Sequence, residues 1–447
     1  MQIQVPATKV DVLAEADVVV CGGGCAGVTA AVAAARHGAS VVLLERWPSV
    51  GGMATNALVN GWHRSDREKV VILGLVEESA QRAEKEGWIA KDPQYPKAHE
   101  THWFAPEGMR IVWQRMLDEA GVRVLCYTAA GDPVLEDGRL RAVLVDTKRG
   151  RRAIAGRIFV DATGDGDVAA KAGVPFGYGR EADGLVQGMT LIFQLKGIDP
   201  AQAAQRQAVA AGVLEQMRRL RDTGLFPPFN EGNFGGYYVN WADNETLWNM
   251  LPVAGNPLDE EELSRLTALS RERLVAYLAL WRQSLPGYAQ AAIRQTGFAL
   301  GVRESRRVRG RKTLDHAMVL GAVKQADAIG HGVWMVDIHD PKGTGYTTYT
   351  DRGTRNMLAA GTSYHIPLGM CLNDRVSNLA VVGRCASSTH EAHSSVRVQS
   401  HCMVMGQGIG TAAALALSGG RDLADVDVAA LQKTLRADGV YLQDVPA

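Results

Sequence analysis

Residues 17–45, DVVVCGGGCAGVTAAVAAARHGASVVLLE, constrain this chain more than any other stretch. Val18, Val19 and Val20 form a β-branched run of the kind buried on both faces in a parallel sheet. Gly22, Gly24 and Gly27 follow with the spacing G-x-G-x-x-G. Val28 to His37 reads as an Ala-rich helix, and Val41 to Leu44 as a second buried strand that ends on Glu45. Gly22 permits the tight turn, Gly24 lets backbone approach a pyrophosphate, and Gly27 lets the helix pack close to the strand. The helix N-terminus offers N–H groups and a positive dipole end to phosphates. Glu45, 18 residues after Gly27, is placed to accept from ribose hydroxyls. Strand, glycine turn, helix, strand and acid together predict an α/β chain that opens with a dinucleotide-binding unit.

Arg46 to Thr55 (RWPSVGGMAT) puts Gly51 and Gly52 just after the acid. This continuation resembles the FAD-binding flavoproteins of the glutathione-reductase type of fold. In those, the loop wraps the adenine-ribose and runs toward the flavin. The resemblance implies cofactor contacts from Arg46, Gly52, Met53 and Thr55. Glu45, with no Arg cluster after it, argues against a 2′-phosphate.

The 447 residues leave room for two or three domains. The 48 basic and 48 acidic side chains cancel, which removes any global attraction to nucleic acid or an anionic membrane. Met1 to Ala16 is polar, so no secretory leader is expected, and no apolar run reaches membrane-spanning length. Cys21, Cys25, Cys126, Cys371, Cys385 and Cys402 form no C-x-x-C pair, which speaks against a dithiol redox centre and a zinc site. A reducing, cytoplasmic setting is expected. No metal is expected: His316, His331 and His339 are too dispersed to read as ligands.

Lys69 to Glu86 and Arg110 to Ala120 carry helical patterns, separated by a Pro- and His-containing connection from Asp92 to Pro106. Arg123 to Cys126, Val134 to Leu135 and Leu140 to Asp146 read as strands of a β-meander, with Asp137-Gly138 as a hairpin turn. From Asp183 to about Thr350 the character changes. Apolar alternation at Met189 to Leu195 is followed by helices at Ala201 to Thr223 and Asp259 to Leu285, and by aromatics from Phe226 to Trp248. Leu379 to Val382 reads as a strand and Gly408 to Leu417 as a helix. The expected architecture is α/β: a discontinuous Rossmann-like FAD-binding domain with an inserted α+β substrate domain. The expected parts are 1–180 (with a helical excursion at 56–108), 181–350 for substrate, 351–420 completing the first domain, and a peripheral 421–447.

Val160 to Asp165 (VDATGD), Gly301 to Gly310 (GVRESRRVRG), Asn378 to Cys385 (NLAVVGRC) and His390 to Ala413 (HEAHSSVRVQSHCMVMGQGIGTAA) look like the broad FAD-dependent oxidoreductase family. That family is related to the flavoprotein subunits of fumarate reductase and succinate dehydrogenase. The resemblance implies FAD contacts from Ala162, Thr163, Gly164 and Asp165, and from Gly383 and Arg384 on the pyrophosphate side. It also implies that the final helix opens at Met405 and holds the flavin pyrimidine edge with Gln407, Gly408, Gly410 and Thr411, its dipole favouring the anionic reduced ring.

His390, His393 and Arg397 concentrate acid–base and anion-binding chemistry directly before that helix. Arg397 could clamp a carboxylate; the alternative for all three is contact with flavin or buried backbone. His365 is a further catalytic candidate, in a segment that resembles the family's run across the flavin face. One of Arg303, Arg306 and Arg307 could reach the active site, or the group could form an internal ion-pair network with Glu304. Tyr237, Tyr238, Trp241 and Trp248 line a substrate pocket or belong to ordinary core. The expected activity is hydride transfer between a small organic substrate and flavin N5, with a separate electron acceptor (oxygen, a quinone or a redox protein) and a homodimer plausible. A flavin monooxygenase, or a flavoprotein that binds RNA or a partner subunit, are the alternatives. The missing second G-x-G-x-x-G weighs against direct use of NAD(P)H, and zero net charge against RNA.

Overall fold

The computed structural model describes residue 3 and residues 9–91, 101–203, 206–224, 237–238, 246–342 and 356–445. Trp241 and most of the aromatic stretch before Trp248 lie outside them, as does most of the 92–106 connection. The chain starts with β1 (Val12–Cys21), α1 (Cys25–Arg36) and β2 (Val41–Leu44). Val18 pairs with Val41 on one side and with Ile158 on the other, both in parallel. Neighbours on both sides and helices over one face explain why Val18, Val19 and Val20 are all fully buried.

Helices α2 (Leu75–Lys85) and α3 (Pro106–Glu119) follow, each starting a few residues from its expected boundary. Next come β3 (Arg123–Leu125), β4 (Pro133–Glu136), β5 (Arg139–Thr147) and β6 (Gly150–Asp161). The main sheet runs from β3 through β2, β1, β6 and β5 to β4. The expected meander is therefore corrected. β3 extends the parallel edge beside β2, and only β4, β5 and β6 form antiparallel hairpins.

A second, antiparallel sheet contains β7 (Met189–Lys196), β8 (Thr246–Val253) and β9 (Ala292–Thr296), with Tyr237–Tyr238 at its edge. The helix α4 (Glu260–Ser284) covers it. Asp259 caps that helix by accepting from the Glu262 amide, and three glutamates in the first turn favour its dipole. Phe193, Trp248 and Trp281 stack in a core of their own, with Trp248 and Trp281 centroids 4.3 Å apart. Trp248 is thus core, not pocket lining.

The chain then forms a hairpin of β10 (Ala328–Gly332) and β11 (Tyr364–Pro367). It rejoins the main sheet through β12 (Leu379–Val381). β6 is long enough to serve two partners on one edge: Ala153 to Ala155 pair with β5, and Phe159 to Asp161 with β12. Helices α5 (His390–Val396), α6 (Gln399–Ser418) and α7 (Val428–Ala437) complete the chain.

The Ala-rich α1 and the Gly-rich α6 cross at close range. Gly406 and Gly410 sit four residues apart on one face, where a Cβ would overlap the carbonyl oxygens of Ala26 and Ala30. Thr29 Oγ1 donates to Met403 O at 2.9 Å across the same seam. The last segment is less peripheral than expected: Leu431, Leu435 and Leu442 are fully buried in the main core. No described helix is long and apolar enough to cross a membrane.

Candidate functional site

The C-terminal ends of β1, β2, β6 and β12 face one loop cluster. Gly22 has φ +110°, and a side chain there would overlap Ala162 O. A side chain on Gly27 would overlap Gly22 O, so this glycine is required by helix–strand contact. Gly51 N donates to Gly23 O at 2.7 Å, which docks the second glycine loop on the first. A Cβ on Gly52 would stand 2.9 Å from Gly24 Cα. Thr55 Oγ1 donates to Val50 O at 3.0 Å and closes the turn that carries Gly52 and Met53. Glu45 is buried, and its two oxygens accept from Gly23 N and Trp47 N, both at 2.8 Å. Burial raises its pKa, against those hydrogen bonds.

The Ala162–Asp165 turn lies across from Gly22. Asp161 holds it by accepting from Thr163 Oγ1 at 2.7 Å and Ala169 N at 2.8 Å. Full burial pushes the Asp161 carboxyl up to about 6. Arg384 Nη2 donates to Asp165 Oδ1 at 2.8 Å, and Ser305 Oγ donates to the same oxygen at 2.7 Å. Burial opposes charge on Asp165, but Arg384, Ser305 and Arg46 outweigh it and hold the pKa low. Gly164, with φ +82°, passes directly under the Arg384 guanidinium. A Cβ on Gly383 would stand 3.1 Å from Ala26 Cβ, at the start of α1. The structure thus gathers Gly22, Gly24, Gly27, Glu45, Arg46, Gly52, Met53, Thr55, Ala162, Thr163, Gly164, Asp165, Gly383 and Arg384 at one end of the sheet.

Gln407, Gly408, Gly410 and Thr411 are placed otherwise. The helix α6 starts at Gln399, so Met405 to Thr411 lie inside it, and their amides are not free to face a ring. Gly410 and Gly406 admit α1, and Gly408 packs on Ile329. Gln407 Oε1 accepts from Leu75 N at 2.9 Å beside a surface cleft of about 310 Å³ lined by Arg36, His37 and Asp438. The glycines reflect a helix crossing, not a helix start.

Three catalytic candidates also need correction. His393 is fully buried, with Nε2 donating to Arg303 O at 2.9 Å, and burial pushes its pKa down to about 3. It is a neutral structural histidine. His390 Nδ1 lies 2.9 Å from Glu304 Oε2 in a buried network with Arg307. His365 points away from α5: its Nε2 lies 3.1 Å from Asp444 Oδ1, and it pairs across the hairpin with His331. The neighbouring Tyr364 is the residue of β11 that faces α5 and α6, with its hydroxyl 2.9 Å from Ser395 Oγ and 3.2 Å from His401 Nδ1.

Arg397 does reach a polar cluster, as does Arg303, while Gln187, Asp337 and His339 were not singled out as site residues by the sequence. Arg397 Nη2 lies 3.5 Å from Gln187 Oε1 and 3.3 Å from Asp337 O. His339 Nε2 lies 3.5 Å from Asp337 Oδ2, and His339 N donates to Gln187 Oε1 at 3.4 Å. Arg303, the member of the Arg303–Arg307 run that faces this cluster, donates to Gly188 O at 2.7 Å, Thr190 Oγ1 at 2.6 Å and Asn249 Oδ1 at 3.3 Å. Gln187 Nε2 is buried with no hydrogen-bond partner among the described residues. Burial opposes charge on Asp337, but His339, Arg397 and Arg303 hold it ionised. Burial first, then Arg303, pushes His339 down to about 4. Nearby, His63 stacks on Trp334 with centroids 3.4 Å apart. The cluster lies where β7 and β8 of the second sheet meet α5 and α6. No local spacing announces it, because its residues come from four separate segments, at 187, 303, 337–339 and 397.

A family model described as FAD dependent oxidoreductase matches residues 17–435. The chain belongs to the FAD-dependent oxidoreductase family. Its cofactor is FAD, and the fold is an α/β FAD-binding fold. The oxidoreductase is also similar to solved structures at low identity. One is a geranylgeranyl bacteriochlorophyll reductase-like protein from Thermoplasma acidophilum (13% identity, 95% of this chain and 84% of that one, TM-score 0.49). Another is p-nitrophenol 4-monooxygenase from Pseudomonas putida (11%, 97% and 91%, 0.48). A third is anhydrotetracycline hydroxylase from Streptomyces rimosus (11%, 95% and 65%, 0.46).

The donor set of this oxidoreductase fits the cofactor. No side chain caps the first turn of α1, leaving amides for an anion. The backbone at Gly24 is open, with the nearest atom 4.0 Å from where a Cβ would stand. The acid at Glu45 closes one side and the Arg384–Asp165 pair the other.

Proposed function

We propose that this oxidoreductase transfers a hydride between a small anionic organic substrate and FAD, with the substrate held by Arg397 and Arg303. The observation that supports this reading is the buried cluster of Gln187, Arg303, Asp337, His339 and Arg397. It brings two guanidinium groups, an amide donor and an imidazole–carboxylate pair together between the second sheet and α5–α6. When bound, FAD supplies hydride exchange at flavin N5. The chain then has three tasks: binding the substrate, excluding water and handling one proton.

Arg397 and Arg303 suit a carboxylate, which each can hold bidentately. Gln187 Nε2, buried and without a partner among the described residues, donates to a substrate oxygen. His339 exchanges the proton. In the unliganded cluster it is neutral, because burial and Arg303 disfavour its charged form. A bound carboxylate offsets the nearby cations and lifts the His339 pKa toward the range useful for acid–base catalysis. Asp337 orients the imidazole.

In the same reading, Gly24, Gly27 and the α1 N-terminus hold the FAD pyrophosphate, Glu45 the ribose, and the Ala162–Asp165 and Gly383–Arg384 loops the opposite side. Residues 181–350 form the substrate domain, inserted between 1–180 and 351–420. We place the chain near the glutathione-reductase-type fold and the fumarate reductase and succinate dehydrogenase flavoprotein subunits, on the strength of the sheet that β12 completes late in the chain. A separate electron acceptor completes turnover.

The test is anaerobic mixing of the FAD-loaded enzyme with a panel of hydroxy, amino and unsaturated carboxylic acids, with oxidised and prereduced flavin. The expected result is a change in the visible flavin band with one class of acid. Arg397→Met should lower that rate by about 100-fold while FAD stays bound. A band that responds only to neutral compounds, equally well in Arg397→Met, would overturn the anionic-substrate reading. A band that responds only to NAD(P)H, with oxygen needed for product, would replace it with a monooxygenase.

A further inference from the structure

We propose that His331, His365 and Asp444 form a binding site for a divalent transition metal, zinc in the first instance. The three residues come from two strands and the C-terminal segment. His331 and His365 are direct cross-strand partners in the β10–β11 hairpin, so their side chains leave the same face. Their rings are 4.6 Å apart at 84°. Asp444 Oδ1 lies 3.2 Å from His331 Nε2 and 3.1 Å from His365 Nε2. All three ligand atoms fall within 4.8 Å of one another.

These separations suit a shared metal as well as the hydrogen bond that His365 Nε2 makes to Asp444 Oδ1 at 3.1 Å. Zinc binds imidazole nitrogen and carboxylate oxygen at roughly 2.0–2.2 Å, so tetrahedral neighbours sit about 3.3 Å apart. Two of the three edges already have that length. His331 Nε2 is buried, lies 3.2 Å from Asp444 Oδ1, and has no hydrogen-bond partner among the described residues. Imidazole and carboxylate donors together suit first-row metals rather than calcium or magnesium.

The outer partners of His331 and Asp444 support the assignment, whereas His365 has to change tautomer. His331 Nδ1 lies 2.8 Å from Ser363 Oγ, which fixes the ring and leaves Nε2 for the cation. Lys324 Nζ binds Asp444 Oδ2 at 2.5 Å, so Oδ1 is the oxygen turned to the imidazoles. His365 Nδ1 now accepts from Gln325 N at 3.0 Å. A metal at Nε2 requires the proton on Nδ1, which Gln325 O stands 3.3 Å away to accept, at the cost of the present bond from Gln325 N. Lys324 and Lys69, the latter bonded to Tyr441 at 2.9 Å, are the cations that oppose a metal here. The Asp444 side chain reaches solvent, which gives entry and a fourth position for water. A bound metal would fasten the segment after α7 to the hairpin that also presents Tyr364 to α5 and α6.

The experiment uses FAD-loaded protein, treated with chelator and then titrated with zinc against a chromophoric competitor. Thermal unfolding is recorded with and without the metal. One zinc per chain and a rise in Tm are expected for the wild type and for His316→Ala, which removes an exposed histidine elsewhere. Asp444→Asn and His365→Ala should each weaken binding at least ~10-fold and lose the Tm rise. If His365→Ala fails to fold, Asp444→Asn, a change at the surface, carries the test alone. Absence of zinc binding by the wild type, or equal affinity in Asp444→Asn, would overturn the site. Neither outcome bears on flavin reduction, so this proposal stands or falls apart from the one above.

Discussion

His390 and Glu304 meet as a buried pair, Nδ1 to Oε2 at 2.9 Å, although 86 residues separate them. Glu304 also ion-pairs with Arg307 and accepts from Gln187 N at 3.0 Å. One carboxylate thus ties α5, the Arg303–Arg307 run and the start of the second sheet together. Removing it leaves the buried Arg307 charge unpaired, with only the carbonyls of Ser388 and Gly179 as acceptors, and the Gln187 amide without its acceptor. Glu304→Ala should cost about 3–5 kcal/mol. Denaturant unfolding at neutral pH checks this, and a loss below about 1 kcal/mol would mean that water replaces the carboxylate.

Stability should fall in mild acid. His393 and His401 are fully buried, and burial pushes both pKa values down to about 3. The unfolded chain binds their protons from the ordinary histidine value of 6.5 downward, whereas the native state does not until about 3. Stability therefore rises with pH across that window and is lost as pH falls through it. Each histidine contributes about 1.4 kcal/mol per pH unit. Urea midpoints at pH 7.5 and pH 5.5 should differ clearly, and equal midpoints would show that neither histidine is held neutral.

The α1–α6 crossing leaves no room for a side chain at Gly410. A Cβ there overlaps Ala30 O, a backbone atom that cannot rotate away. Gly410→Val should cost about 1–3 kcal/mol, despite the roughly 1 kcal/mol helix penalty that glycine itself carries. The loss should be seen in unfolding of protein without FAD, because the contact is between helices. A destabilisation that appears only when FAD is present would return Gly410 to the cofactor.

What was legible from the chain follows from how local each signal is. The Gly22–Glu45 unit carries turn, helix period and acid within thirty residues, and its strands pair as the pattern implies. The glycines of α6 misled because glycine marks helix ends when read locally, whereas here a helix 380 residues earlier requires them. His390, His393 and Arg397 look equivalent in sequence. Only folding separates a buried ion pair, a backbone-bonded imidazole and a guanidinium that reaches Gln187. The same holds for His331, which gains a partner only because β10 and β11 are in register. Gln187, Asp337 and His339 carried no motif, since their meeting depends on how the second sheet packs on α5 and α6.

The three glycines of the phosphate loop have different obligations, and that difference gives the sharpest test of the cofactor site. Side chains on Gly22 and Gly27 would overlap backbone within the protein, so substituting either confounds folding with binding. Gly24 is different. Its φ of −66° is open to any residue, and a Cβ would have 4.0 Å to its nearest neighbour, Gly52 Cα. The protein alone gives no reason for glycine there. A pyrophosphate on the α1 N-terminus does, because it must approach the backbone closely. Gly24→Ala should therefore fold normally, with the Tm of the FAD-free protein close to wild type. Its FAD affinity should drop about tenfold or more, read by flavin retention on gel filtration and by titration of the FAD-free protein. Unchanged affinity would move the pyrophosphate away from Gly24, while loss of folding would show a packing role that the geometry does not contain.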